Sequence, residues 1–246
     1  MVNRSESSDC GEEIERGDNR VDITPLSPED TEEPELTGGY LFKRDRTGDG
    51  ESGFWSGEAG GAFWFGFPLA WEDPSESERT TEQQSYLSGI LDELAWALVQ
   101  SDFTNTSTGR HYEEIINSDS WIDHHILNVL FKNPDAFRLS GYMHKDRDGL
   151  IEAGPLWDLD RSSGSNDYRV TEPTRWDATN VTSDTTAYFS WGWYRRMFDD
   201  PNFAARYWAR WSELLEGELS PENVDGHILE MAEHLAEAAE RGRWLG

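Results

Sequence analysis

Between Thr80 and Ser101 the apolar residues fall at Tyr86, Leu87, Ile90, Leu91, Leu94 and Leu98, a spacing that buries one side of an α-helix. Thr80 or Thr81 is suited to cap it. The pattern recurs behind Ser118 or Ser120, through Trp121, Ile122, His125, Ile126, Val129 and Leu130. It recurs again near the C-terminus, where helices are predicted over about 191–198, 201–215 and 221–241. The last two carry stripes at Phe203, Tyr207, Trp211 and Leu214, and at Val224, Ile228, Met231 and Leu235. Before Thr80 the chain reads differently. A glycine turn leads into a strand over Thr37–Lys43, a short strand is predicted at Arg20–Ile23, and an aromatic strand over Phe63–Leu69 is ended by Pro68. Two further strands, Arg138–Lys145 and Leu150–Ala153, flank the turn Asp146-Arg147-Asp148-Gly149. Residues 161–190 read as irregular, and residues 9–36 as an acidic, proline-broken loop. A few strands followed by helices make an α+β fold.

The apolar fraction is low, 36%, but 12 Trp, 11 Phe and 8 Tyr bury much area per residue, so a packed core is expected. Charge is the extreme feature. Forty-nine acidic residues face 21 basic ones, a formal −28, and the basic set contains only three lysines, Lys43, Lys132 and Lys145. Such a surface repels phosphate backbones and anionic lipid, which argues against nucleic-acid and membrane partners. It suits a salt-adapted, halophilic setting, because salt shortens the screening length to about 3 Å at 1 M. No apolar run approaches the roughly 18 residues of a membrane span, and no signal segment opens the chain. The single cysteine, Cys10, has no partner for an internal disulfide.

The chemistry-bearing residues concentrate between Asn133 and Gly164. Asn133-Pro134-Asp135 follows the second helix, then the strand pair, then Gly154-Pro155-Leu156-Trp157-Asp158-Leu159-Asp160. Carboxylates at i and i+2 of an extended chain point to the same side. Asp158 and Asp160 thus make a pair suited to a hard divalent ion such as magnesium, which takes one or two carboxylates and leaves room for phosphates. Asp135, returned by the hairpin, would accept a hydroxyl proton. Aspartate is also the commonest turn residue, and spacing alone does not separate the two roles. His124 and His125 are adjacent on a helix and face about 100° apart, so they cannot chelate one ion together. The Trp-rich stretch from Trp55 to Trp71 reads as sheet core.

Several stretches resemble, in order, the CotH (spore-coat protein H) kinase family. They are Arg16-Gly-Asp-Asn-Arg-Val-Asp-Ile23, Thr37-Gly-Gly-Tyr-Leu-Phe-Lys43, Ser120-Trp-Ile-Asp-His-His125, and Asn133-Pro-Asp-Ala-Phe-Arg-Leu-Ser140. Tyr142-Met-His-Lys-Asp-Arg147, Gly154-Pro-Leu-Trp-Asp-Leu-Asp160, Asp200-Pro-Asn-Phe203 and Arg210-Trp-Ser-Glu-Leu214 continue the series. The resemblance implies an atypical protein-kinase-like fold over residues 12–246, behind a disordered tail at 1–11, with a reduced N-terminal β portion and a helical C-terminal portion. It implies transfer of the ATP γ-phosphoryl group to a serine or threonine of a coat, envelope or surface protein. On that reading Asp135 is the catalytic aspartate, Asp158 and Asp160 hold Mg2+, and Lys43 and Arg138 are candidate phosphate contacts. For Arg138, pairing with a neighbouring acid is the equal alternative. An extracellular, cell-surface or spore-coat location would follow from the family.

The chain departs from the pattern in three places. Ser140 stands where ordinary kinases have a metal-binding asparagine, five residues after the catalytic aspartate. Glu13 and Glu15 stand where the family has lysines. The family's upstream strands, which help to cover the nucleotide, precede anything in this sequence. These departures raise a second expectation, a degenerate, non-catalytic binding domain of the same fold.

Overall fold

The computed structural model describes residues 14–47, 53–54, 69–164, 188–190 and 192–243. The chain forms two compact units, Met1–Phe198 and Asp199–Gly246. Among the described residues, the first unit holds a five-stranded antiparallel sheet. Its strands are β1 (Tyr40–Arg44), β2 (Gly53–Phe54), β3 (Leu69–Asp73), β4 (Gly141–Lys145) and β5 (Ile151–Leu156), in the spatial order β2-β3-β1-β4-β5. Helices α1 (Thr81–Val99), α2 (Ser118–Leu130) and the short α3 (Gly192–Met197) belong to the same unit. The mixed α+β architecture agrees with the sequence reading.

Strand boundaries moved by a few residues from those expected. β1 starts three residues later than predicted, because Gly38 and Gly39 form the approach to the strand. A Cβ on Gly38 would lie 2.0 Å from the carbonyl carbon of Asp146, so only glycine allows this approach. Arg20–Ile23 makes no strand. Val21 contributes an isolated bridge to Arg16, and this stretch instead packs apolar groups, with Val21, Ile23, Leu41 and Tyr142 forming one buried cluster. The predicted aromatic strand over 63–69 falls almost wholly outside the described residues, as do the 1–11 tail and most of 161–190; β3 begins at Leu69, where that strand was to end.

The turn Asp146–Gly149 joins β4 to β5 and also anchors the segment before β1. Asp146 Oδ1 accepts from the Thr24 and Arg147 N–H groups at 2.9 and 2.8 Å, and Arg147 Nη2 donates to Pro25 O at 3.1 Å and Asp30 Oδ2 at 3.2 Å. The bonds from Thr24 and Arg147 and the charge of Arg147 hold the Asp146 carboxyl below its ordinary range, outweighing the opposing effect of partial burial.

α1 begins as its sequence predicts. Gln83 N–H donates to Thr80 Oγ1 at 3.3 Å while Thr80 N–H donates to Gln83 Oε1 at 3.0 Å, a reciprocal cap. Leu87, Leu91, Leu94 and Leu98 are fully buried, each contributing about 1.5–3 kcal/mol. α2 is capped by Asn117 rather than by Ser118 or Ser120; its side chain accepts from Asp119 N–H at 3.1 Å. On α2 the histidines turn inward. His125 is fully buried, stacks on Phe137 with ring centroids 4.9 Å apart, and its Nε2 lies 3.0 Å from Tyr188 O. His124 is also buried. Burial alone holds its pKa down to about 4, and burial foremost holds that of His125 down to about 3, so both rings are neutral.

The second unit comprises α4 (Pro201–Glu216) and α5 (Pro221–Arg243). Asp200 caps α4 by accepting from Asn202 N–H at 2.9 Å, and Pro201 occupies the first turn, where its missing N–H costs nothing. Phe203 and Tyr207 are fully buried, as the stripe predicted. On α5 the stripe has another meaning: Ile228, Met231 and Leu235 are exposed, so periodicity there marks a helix without marking a core face. No described helix is long and apolar enough to cross a membrane.

Candidate active site

Beyond α2 the chain turns sharply, with Lys132, Phe137 and Ser140 at φ 51°, 62° and 53°. Left-handed backbone is uncommon for such residues and persists where the surroundings over-determine it. Here a chain of side-chain amides does so. Asn128 Nδ2 donates to His124 O at 2.9 Å, Asn133 Nδ2 donates to Asn128 Oδ1 at 2.9 Å, and Asp135 N–H donates to Asn133 Oδ1 at 3.0 Å. Arg138 and Leu139 N–H close on Asp135 O at 3.1 and 2.9 Å. Asp135 is thereby fixed at its backbone and buried to 8% exposure.

The second acidic loop leaves β5. Gly154 has φ +122°, a conformation that L side chains rarely adopt, and it redirects the strand toward Trp157 and Asp158. Asp158 itself sits at φ 57°. Ser163 N–H donates to Phe131 O at 2.8 Å, which ties this loop back to the end of α2. Both acidic loops are therefore anchored on one helix terminus, and the β4–β5 hairpin closes the distance between them. Ser140 Oγ donates to Asp158 Oδ2 at 3.3 Å. Arg161 Nη1 donates to Asp135 Oδ2 at 3.1 Å, and Arg138 Nη2 donates to Asp135 Oδ1.

The electrostatics follow from this geometry. The Asp158 carboxyl is pushed above its ordinary range, first by partial burial, then by the hydrogen bond and negative charge of Asp160, with Asp135 adding repulsion; the Ser140 hydroxyl opposes the shift. The negative charge of Asp160 beside Asp158 makes a place where a small divalent cation would relieve repulsion. Asp158 and Asp160 fit magnesium in that sense, since it needs only one or two carboxylates. Among the described residues no group of three or more His, Cys, Asp or Glu is gathered closely enough to hold an ion. Asp135 is occupied by its two arginines, so the pair, without a third carboxylate, is what the site offers.

Of the remaining sequence candidates, one sits in this cluster and the other on β1. Arg138 pairs with Asp135, the plainer of its two expected roles. Lys43 lies on β1, its Nζ 2.8 Å from Glu72 Oε2 and 5.9 Å from the centroid of the Tyr142 ring. Tyr142 in turn contacts Trp157, the neighbour of Asp158, at 6.5 Å between centroids. Beside β1 and β3 an open recess of about 350 Å³ is lined by Glu15, Arg16, Leu41, Glu72, Asp73 and Glu78. Its carboxylates outnumber its one guanidinium, so a bare phosphate is disfavoured there. Sequence reasoning missed Arg161. Its only signal was its place directly after Asp160, and nothing in the chain's spacing announces a bond to a residue 26 positions earlier.

No curated protein and no solved structure matches this chain. A family model described as "CotH kinase protein" matches residues 30–245, which leaves Arg16–Ile23 ahead of the matched region. By that match across most of its length, and by the ordered motifs around Asp135 and Asp158, the chain belongs to the CotH family.

Proposed function

We propose that this protein transfers the γ-phosphoryl group of ATP to a serine or threonine hydroxyl of a protein substrate. The observation that supports this reading most is the meeting of two acidic loops, distant in sequence, on the C-terminal end of α2, with Asp135 on one and the Asp158–Asp160 pair on the other. Phosphoryl transfer asks a protein mainly for positioning and charge neutralisation, which such a cluster can supply.

In this reading the substrate hydroxyl oxygen attacks the γ-phosphorus, and a new O–P bond forms. The bond from that phosphorus to the β–γ bridging oxygen breaks, and ADP leaves with the electron pair. The hydroxyl proton passes to a carboxylate oxygen of Asp135, whose backbone is already fixed by Asn133. Magnesium, held by Asp158 and Asp160, would supply charge neutralisation at the phosphate oxygens. Ser140 orients Asp158 through its hydroxyl. Lys43 is the candidate second contact to phosphate, once released from Glu72. The substrate class proposed on the family resemblance is a coat, envelope or surface protein.

The test has two parts. Mg-ATP should raise the melting temperature of the wild type, because a ligand that binds only the folded state stabilises it. Radiolabelled transfer to a protein substrate, or to the chain itself, should fall at least a hundredfold in Asp158→Ala, the scale expected for lost charge neutralisation at phosphate. Wild type and Asp158→Ala behaving alike in both assays would overturn the reading.

A further inference from the structure

We propose that Arg161 is the residue of this site that recognises the transferring phosphate, and that its pair with Asp135 is the resting position from which it is drawn. The inference rests on the phosphotransfer reading above and deepens it.

Two observations converge on this side chain. Arg161 follows Asp160 directly, so wherever the Asp158–Asp160 pair brings a phosphate, Arg161 lies on the same loop. Its side chain is the more exposed of the two that reach Asp135. Arg138 is three residues from Asp135 in the same tight loop and its side chain is 35% exposed, whereas the Arg161 side chain is 48% exposed and reaches across from the other loop. A half-exposed arginine can exchange one acceptor for another at small cost, and its planar fork matches phosphate oxygens as well as it matches carboxylate.

Charge decides the direction of exchange. Without nucleotide, three carboxylates and two guanidiniums share the site among the described residues, and Arg161 is drawn to Asp135. A triphosphate and its metal bring several further charges to the Asp158–Asp160 side, where the phosphate oxygens compete for the fork. Moving Arg161 to them does two things at once: it places a cation against the γ-phosphoryl group, and it takes the Arg161 charge off Asp135 Oδ2, the oxygen that is to accept the hydroxyl proton. Arg138 keeps Oδ1 and so keeps the carboxylate in place. The pair thus couples nucleotide arrival to exposure of the base. Arg138, by contrast, is a positioning residue.

The discriminating experiment compares the melting-temperature shifts given by Mg-ATP and Mg-ADP in wild type, Arg161→Ala and Arg161→Lys, alongside the rate of transfer. The wild type should be stabilised more by ATP than by ADP. Arg161→Ala should keep its nucleotide-free melting temperature and its ADP shift, lose the extra ATP shift, and transfer on the order of 10³-fold more slowly, the lower end for an arginine acting on a transferring phosphoryl group. Arg161→Lys should recover part of both, since it restores charge without the fork. An ATP-over-ADP difference and a rate retained within about twofold in Arg161→Ala would overturn the assignment. So would an equal loss of both nucleotide shifts with a lowered nucleotide-free melting temperature, which would mark a purely structural clamp. A wild type that responds to neither nucleotide would remove the kinase reading and this role together, an outcome told apart from the others by the wild-type arm.

Discussion

Asp158 shows how one residue carries cost and function together. It stands in left-handed backbone, beside Asp160, with its carboxyl pushed above the ordinary range. A carboxyl whose folded pKa is raised contributes stability only while protonated, below its unfolded value near 4, and that contribution is lost as pH rises through the folded value. At neutral pH the ionised Asp158 therefore works against the fold. Asp158→Asn keeps the shape, accepts a bond from Ser140, and removes the repulsion from Asp160 and Asp135. It is expected to raise the nucleotide-free melting temperature at pH 7 while abolishing transfer, the usual opposition between a charged site and stability. Circular dichroism melts at pH 7 and pH 4 check this: the difference between variant and wild type should shrink toward acid. A lower melting temperature for the variant at pH 7 would contradict the electrostatic account.

Helix α2 makes the corresponding argument for an element. Its inward face carries two neutral histidines where a helix of this kind ordinarily carries aliphatic residues, and their burial makes the fold acid-sensitive. With folded pKa values near 4 and 3 against about 6.5 unfolded, the unfolded chain binds more protons across that window. Stability is thus full above pH 6.5 and falls as pH drops toward 4, by up to about 1.4 kcal/mol per unit for each histidine. A His124→Phe/His125→Phe double variant should flatten the denaturant midpoint against pH over that interval, and an unchanged slope would show that other groups set it. α2 also marks the reach of sequence reading. Its extent and its buried Trp121, Ile122, His125, Ile126 and Val129 were legible because apolar spacing on a helix is a local property. The cap at Asn117 was obscured by Ser118 and Ser120, which have the same chemistry within three positions. At the site, Asp135, Asp158 and Asp160 are singled out by their residue types and family motifs, and the charge of Asp135 is felt at Asp158. The hold of Arg161 on Asp135 was invisible, because it depends on the hairpin that folds one loop onto the other. Ser140, read as a weaker ligand than asparagine, donates a hydrogen bond to Asp158.

For the whole molecule the governing quantity is the formal charge of −28. Self-repulsion of that size opposes compaction, and added salt weakens it over distances longer than the Debye length, about 10 Å at 0.1 M and 3 Å at 1 M. The melting temperature should therefore climb between about 0.1 and 1 M potassium chloride and flatten as the screening length approaches contact distance. A flat or falling response would show that the carboxylates are already neutralised by their neighbours. The cationic side of the balance is distributed unevenly. Lys132 and Lys145 are 7% and 3% exposed, and the Lys43 side chain, 13% exposed, leans on Glu72. Every lysine is thus withdrawn from the solvent, and the outward positive charge is carried by arginine. To an amine-seeking acylating reagent the native molecule presents almost no lysine to attack, and each new adduct on these three side chains records a moment when the sheet or the end of α2 has come apart.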